Sequence, residues 1–172
     1  LQNTLNANFS KEIPHIASGF NIAFGAEMRY EQYKLFSGEE ASYKNYSDGS
    51  KATGSQGFPG YQPSDEVNAN RTALGAYADA ELDLSRKILM GAAVRAENYS
   101  DFGSTINFKY DIRYKIADFV NLRGSFSTGF RAPSLQQINF SSTFTTVQGG
   151  NIAEVKIAPN YSDITKAAGI PD

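Results

Sequence analysis

Apolar and polar residues alternate along five segments of this chain. In one of them, Ile106, Phe108 and Tyr110 occupy every second position, with polar or charged residues between them. Successive side chains of a β-strand point to opposite faces, so this period of two predicts strands with one apolar and one polar face. The predicted strands cover residues 20–33, 72–84, 88–99, 105–116 and 119–131.

The connections between the predicted strands differ in length. A long polar link over residues 34–71 follows the first strand and another, over 132–172, follows the fifth, whereas residues 85–87 alone join the second to the third. Each strand is at least ten residues long, which suits a tilted strand that crosses a bilayer. Tight turns on one side and longer loops on the other are typical of outer-membrane barrels. The pattern therefore favours an all-β fold of antiparallel up-and-down strands, part of a large transmembrane β-barrel.

Composition narrows the choice of partners. The chain has 172 residues, with 16 Lys and Arg against 18 Asp and Glu, and this balance argues against a nucleic-acid partner. Cysteine is absent, so neither disulfides nor thiolate metal sites can form. The sequence contains no zinc-protease, serine-hydrolase or phosphate-loop motif. We therefore expect no enzymatic activity, no cofactor and no metal site.

Two groups of residues are candidates for ligand binding. The first group consists of charged residues on the polar faces of the predicted strands, namely Arg95, Glu97, Arg123 and Arg131. The second consists of aromatic residues around the Gly- and Ser-rich part of the link 34–71, namely Tyr46, Phe58 and Tyr61. Aromatic side chains on surface loops can contact a ligand. A local aromatic cluster is the alternative interpretation of the second group.

Several stretches resemble one family of membrane proteins. The stretches "AVRAENYSDFGSTINFKYDIRYK" (93–115) and "LRGSFSTGFRAPSLQQ" (122–137) resemble the barrel of TonB-dependent outer-membrane receptors. The stretches "FGAEMRYEQY" (24–33) and "GFPGYQP" (57–63) resemble earlier parts of the same barrel. The resemblance implies a 22-stranded barrel closed by an N-terminal plug domain. This chain would supply about five of those strands and does not contain the plug.

The resemblance also implies a function and a location. Such receptors bind a scarce small-molecule ligand, often a ferric siderophore, a cobalamin or an oligosaccharide, at the bacterial outer membrane. TonB, acting through the absent N-terminal plug region, supplies the energy for uptake. Outer-membrane lipid would contact the apolar faces of the strands, and the polar faces would line the lumen.

In the fifth predicted strand, Leu122, Phe126 and Phe130 would face lipid, while Arg123 and Arg131 would face the lumen. Pro133 lacks an N–H and would end this strand. Two other classes of protein stay open. A passive porin-type channel would show the same strands without a plug, and a soluble β-sandwich binding module would fold in water without detergent.

Overall fold

A computed structural model describes residues 1–48, 51–54 and 59–171. Over these ranges the strands are β1 (Gln2–Ile13), β2 (Gly19–Leu35), β3 (Val67–Ser85), β4 (Ile88–Tyr99), β5 (Gly103–Ala117), β6 (Val120–Ser127), β7 (Ser142–Gln148) and β8 (Asn151–Ile157). The helices are α1 (Glu40–Tyr43), α2 (Leu135–Asn139), α3 (Asp163–Ala167) and a 3₁₀ helix, Pro63–Asp65. Nowhere in the described ranges is a helix both long enough and apolar enough to cross a membrane.

The chain divides into two compact units. The sheet unit comprises residues 2–31 and 71–132, and the second unit, called here the loop unit, comprises Leu1, 32–70 and 133–172.

Strands β1 to β6 form one sheet in which each strand lies beside its neighbour in the sequence. The pairs β1–β2, β3–β4, β4–β5 and β5–β6 are antiparallel. This order confirms the predicted all-β, antiparallel, up-and-down class. Strands β1 and β6 are the outer strands, so over the described residues the sheet is open rather than closed into a barrel.

The sheet contains one strand more than the five that alternation predicts. Strand β1 pairs with β2 along its whole length, from Gln2 opposite Glu31 to Ile13 opposite Phe20. Its apolar face carries Lys11, which interrupts the row of apolar residues. The segment is also rich in asparagine, which is uncommon in strands. Pairing with β2 therefore determines this strand, and its own sequence gives only a weak signal.

The strand register gathers the apolar side chains on one side of the sheet. Met90 lies opposite Ile112, and Val94 lies opposite Phe108. Directly opposed residues in an antiparallel pair share a face, so these rows continue from strand to strand as one surface, called here the apolar face. Nothing in the described part of the sheet unit covers it: Phe108, Ile112 and Leu122 are 42%, 45% and 62% exposed. A surface of this kind on long strands needs an apolar environment.

The two long predicted links need correction. Strand β2 extends to Leu35 and β3 begins at Val67, so the link between them is shorter than residues 34–71. Residues 132–172 are not one long loop, because they contain α2, the β7–β8 hairpin and α3. The short strands β7 and β8 have Thr-rich or mixed sequences without long alternation, and a Gly149–Gly150 turn joins them with both φ angles positive.

The end of β6 corrects the prediction for Phe130. The strand ends at Ser127, not at residue 131. Beyond it, the backbone N–H of Phe108 donates to the Thr128 hydroxyl at 2.9 Å, so a side chain replaces the next backbone acceptor. Alternation cannot be continued past this point. The Phe130 ring packs edge-on against Tyr99 and Phe102, with centroids 5.9 and 6.3 Å away, whereas the prediction placed it facing lipid.

Candidate functional site

The side of the sheet opposite the apolar face, called here the polar face, carries charged side chains that contact one another across strands. Arg95 donates from Nε and Nη2 to Glu97 Oε1 at 3.0 and 2.9 Å. Its Nη2 also lies 3.6 Å from Glu27 Oε1 on β2. Two of the sequence candidates, Arg95 and Glu97, are therefore in direct contact, and Glu27 joins them. The Arg95 side chain is 38% exposed, so its guanidinium remains accessible to a polar solute, whereas the Glu97 side chain is only 10% exposed.

A glycine on β2 brings β1 and β3 together on the polar face. Tyr77 of β3 reaches past Gly25 and donates from its hydroxyl to Asn8 Oδ1 of β1 at 3.0 Å. A Cβ atom at Gly25 would lie 2.6 Å from the Ala7 carbonyl oxygen and 2.7 Å from the Tyr77 ring. The missing side chain therefore allows an aromatic ring to lie across the strand, an arrangement known to support glycine in sheets.

Small residues beside these groups leave a depression on the polar face. It has a volume of about 550 Å³ and is open to solvent. Its border includes Ala23, Tyr77, Asp79, Ala93, Arg95, Asn107 and Lys109. Carboxylate, ammonium, guanidinium, amide and phenol groups thus surround one space. Such a set can bind a polar ligand through hydrogen bonds of either polarity.

Arg123 lies in a different part of the polar face. It is directly opposite Arg113 on the neighbouring strand, an arrangement that like-charge repulsion makes unfavourable. Both arginines border an open depression of about 460 Å³ together with Lys109 and Asp111. Lys109 and Asp111 form an ion pair at 3.3 Å. The structure therefore separates Arg123 from the Arg95–Glu97 pair, and Arg131 follows the end of β6 as an exposed residue.

A buried arginine is the main feature of the sheet unit that alternation does not reveal. Arg71 is 2% exposed and donates from Nε to both carboxylate oxygens of Asp101 at 2.9 and 2.8 Å. Its Nη1 lies 3.6 Å from Glu31, and its guanidinium lies 6.0 and 5.0 Å from the ring centroids of Tyr99 and Phe102. Asp101 belongs to the β4–β5 turn, so the contact becomes visible only once the strands are in register.

The loop unit is organised around a buried carboxylate, Asp65, which is also absent from the sequence candidates. Its side chain is fully buried and accepts hydrogen bonds from Ser141 Oγ at 2.8 Å and Thr143 Oγ1 at 3.3 Å. The backbone N–H of Gln62 donates to it at 3.2 Å, and Lys156 Nζ lies 3.5 Å away. Asp65 thereby joins the 3₁₀ helix to both strands of the β7–β8 hairpin.

The environment of Asp65 determines the charge it carries. Burial by itself would raise the pKa of Asp65, but the hydrogen bonds from Ser141 and Gln62 and the Lys156 ammonium outweigh it, so the pKa lies below the ordinary 3.8. A depressed carboxylate pKa stabilises the folded state above the unfolded pKa, and this stability is lost as the pH falls through the folded value. The contribution is therefore present at neutral pH and disappears only in strong acid.

Two of the aromatic candidates of the loop unit, Tyr46 and Tyr61, lie in the described residues. Tyr46 is 71% exposed, and the Lys44 ammonium lies 5.5 Å from its ring centroid. Tyr61 packs edge-on against Phe140 with 6.4 Å between centroids. Phe58 lies outside the described residues. Tyr61 thus has an aromatic neighbour, whereas Tyr46 presents its ring to solvent. Ligand contact by Tyr46, Phe58 and Tyr61 stays a prediction.

Long antiparallel strands, an uncovered apolar face and a charged opposite face together define the wall of a transmembrane β-barrel. A family model described as "TonB dependent receptor-like, beta-barrel" matches residues 2–161. The chain therefore belongs to the TonB-dependent receptor β-barrel family, a family of barrels typically found in the outer membrane and with a receptor-type function. No curated protein and no solved structure matches it.

Proposed function

We propose that this chain forms part of the barrel of an outer-membrane receptor that takes up a scarce small-molecule ligand with energy delivered by TonB. The ligand classes to test are ferric siderophores, cobalamins and oligosaccharides. One observation carries the proposal: the same strands present an uncovered apolar face and a charged polar face. Lipid would contact the first, and the ligand's path would run along the second.

The exposed apolar side chains favour this function over a soluble binding module. In a soluble β-sandwich, the apolar face packs against a second sheet and is removed from water. Here Phe108, Ile112 and Leu122 keep about half of their surface exposed. Hydrocarbon chains of a bilayer would cover such a surface at no cost in unsatisfied polar groups.

The polar face supports binding rather than covalent chemistry. Arg95, which also contacts Glu97 and Glu27, borders an open depression together with Asp79 and Lys109, so charges of both signs surround that space. A ligand that exchanges hydrogen bonds with such groups is held without being altered. Release then requires work from outside the barrel, which TonB would supply through a plug domain.

Uptake by living cells tests the proposal directly. The native receptor that carries these strands is produced in cells with and without functional TonB, and entry of radiolabelled ferric siderophore, cobalamin and oligosaccharide is measured. We expect one ligand class to accumulate only when TonB is functional. Entry that is equally fast without TonB would identify a passive channel instead, and recovery of the native protein from water without detergent would identify a soluble module.

Deletion of residues 47–60 tests whether the loop that contains the aromatic candidates contributes to ligand capture. We expect weaker ligand capture with unchanged insertion into the outer membrane. The matched control is Lys34→Gln, an exposed residue at the end of β2 that lies outside the deleted stretch. Unchanged uptake after the deletion would remove this loop from the mechanism.

A further inference from the structure

The tight-turn end of the sheet unit carries basic side chains beside exposed apolar ones. Arg86 and Lys87 form the turn between β3 and β4, and both are exposed. They border one open depression of about 460 Å³ together with Ile116 and Phe119. Phe119, in the turn between β5 and β6, is 89% exposed. Exposed aromatic rings beside cationic side chains are typical of the part of a membrane protein that lies at the membrane–water interface.

Arg86 and Lys87 have no ion-pair partner among the described residues. None of the ion pairs found over the described ranges involves either residue. The acidic residue at this depression, Asp118, pairs with Lys115 at 2.8 Å. Two positive charges therefore remain available to an anion at this end of the sheet.

A groove on the apolar face begins a short distance above these cations. Its central row runs from Leu82 through Met90 and Ile112 to Gly124, which are opposed in consecutive strands. The groove has a volume of about 840 Å³, and Phe126 stands at its border. Gly124 leaves room in the groove at β6, because it has no side chain and a Cβ atom there would meet only Ile112, at 3.6 Å.

The two features have the spacing of a lipid headgroup and its acyl chain. Met90 follows Lys87 by three residues, which corresponds to roughly 10 Å along a strand. Their chemistry is that of an anionic head joined to an apolar tail. Asp111 and Ser125 also border the groove, but most of its lining is apolar.

We propose that this chain binds one glycerophospholipid at the tight-turn end of the sheet, with its phosphate at Arg86 and Lys87 and an acyl chain in the groove at Gly124. Charge complementarity selects the phosphate, and the groove distinguishes a lipid from a free anion. The site rests on the proposed membrane location, and it assigns to the barrel a specific lipid in addition to the general contact with the bilayer.

Native mass spectrometry of the intact receptor in mild detergent tests the site, with palmitoyl-oleoyl-phosphatidylglycerol as the added lipid. The double variant Arg86→Gln/Lys87→Gln should lower the bound fraction about tenfold, since each basic residue near an anionic lipid contributes several-fold. Gly124→Leu should lower it several-fold by filling the groove. The matched controls, Lys34→Gln/Lys51→Gln and Gly129→Leu, should stay within twofold of the native receptor.

Each alternative outcome overturns the lipid site. Equal lipid retention in the variants and controls means that binding is nonspecific. Displacement of the lipid by inorganic phosphate alone means that the cations form a free-anion site. A receptor dimer that Gly124→Leu dissociates means that a second copy occupies the groove. If these results appear while TonB-dependent uptake persists, the lipid site fails and the proposed function stands.

Discussion

Replacing Arg71 with methionine should loosen the β3–β4–β5 region far more than removing an exposed charge. Methionine keeps an apolar stem beside Tyr99 and Phe102 but removes the guanidinium that Asp101 contacts at 2.8 and 2.9 Å. Losing one partner of a buried ion pair costs about 3–5 kcal/mol. Asp101 is 28% exposed and would recover part of its hydration, so we expect a loss of about 2–3 kcal/mol, above the 0–1 kcal/mol typical of surface pairs.

Hydrogen exchange measured by mass spectrometry gives this cost locally, without unfolding the whole receptor. The Ser100 N–H donates to the Thr72 carbonyl oxygen at 3.0 Å, close to Arg71, and reports opening of this region. A loss of about 2–3 kcal/mol corresponds to exchange that is roughly 30- to 150-fold faster.

The matched control is Arg123→Met, which also removes an arginine from the polar face. Arg123 is exposed and lies opposite Arg113, so its removal relieves repulsion and should leave exchange within about twofold of the native rate. A double-mutant cycle with Asp101→Asn should assign most of the loss to the Arg71–Asp101 pair. If the Arg71→Met variant exchanged no faster than the Arg123→Met variant, the claim that buried Arg71 stabilises this region would be wrong.

Two further predictions concern the loop unit and the polar face. Asp65→Asn should speed exchange in β7 and β8 at neutral pH, because a carboxylate beside Lys156 is lost at a cost of about 1–3 kcal/mol. That difference from the native protein should begin to shrink as the pH falls below the ordinary aspartate pKa of 3.8 and should vanish once the pH has passed the lower pKa of the folded state. A difference that persists at still lower pH would contradict the role of the charge. Gly25→Ala should cost about 1–3 kcal/mol in urea unfolding, because its methyl group would collide with the Tyr77 ring and with a backbone oxygen. Gly129→Ala has nothing within 4 Å of the new atom, and an equal effect in both variants would refute the collision.

The sequence reveals the strands whose two faces differ strongly in chemistry. Over β5, apolar side chains such as Phe108 and Ile112 alternate without interruption with polar or charged residues. Burial or lipid contact on one face requires an apolar residue at every second position, so this period of two can be recognised in the sequence. Strand β1 is hidden because Lys11 occupies its apolar face, and only its partner β2 reveals it.

The contacts of the site are less accessible to sequence reasoning. Arg95 and Glu97 are two positions apart and share a face, so alternation alone places them together. Glu27 joins them from β2, and Asp101 reaches Arg71 from a turn 30 residues later in the chain. Such pairs depend on the register between strands, which a single sequence does not specify.

The loop unit shows the same limit in a different form. Asp65 lies two residues after Pro63 in a polar stretch, and nothing in the neighbouring sequence distinguishes it from a solvated aspartate. Its burial depends on Ser141 and Thr143, more than 70 positions away. Local composition cannot show that distant hydroxyl groups will enclose one carboxylate.

If the ligand's path runs along the polar face, as proposed above, the charges of this face favour some ligands over others. Near the depression at Arg95, carboxylates already neutralise the guanidinium, so a strongly anionic ligand would gain little there. The surface at Arg113 and Arg123 is instead positively charged, because two guanidinium groups lie opposite each other on β5 and β6. A negative group placed between the two guanidinium groups would reduce their mutual repulsion and would be attracted by both of them. A ligand that moves along this face would therefore contact one neutral polar surface and one cationic surface. We expect that a ligand with a single anionic group among many hydroxyl or amide groups would suit both surfaces better than a polyanion.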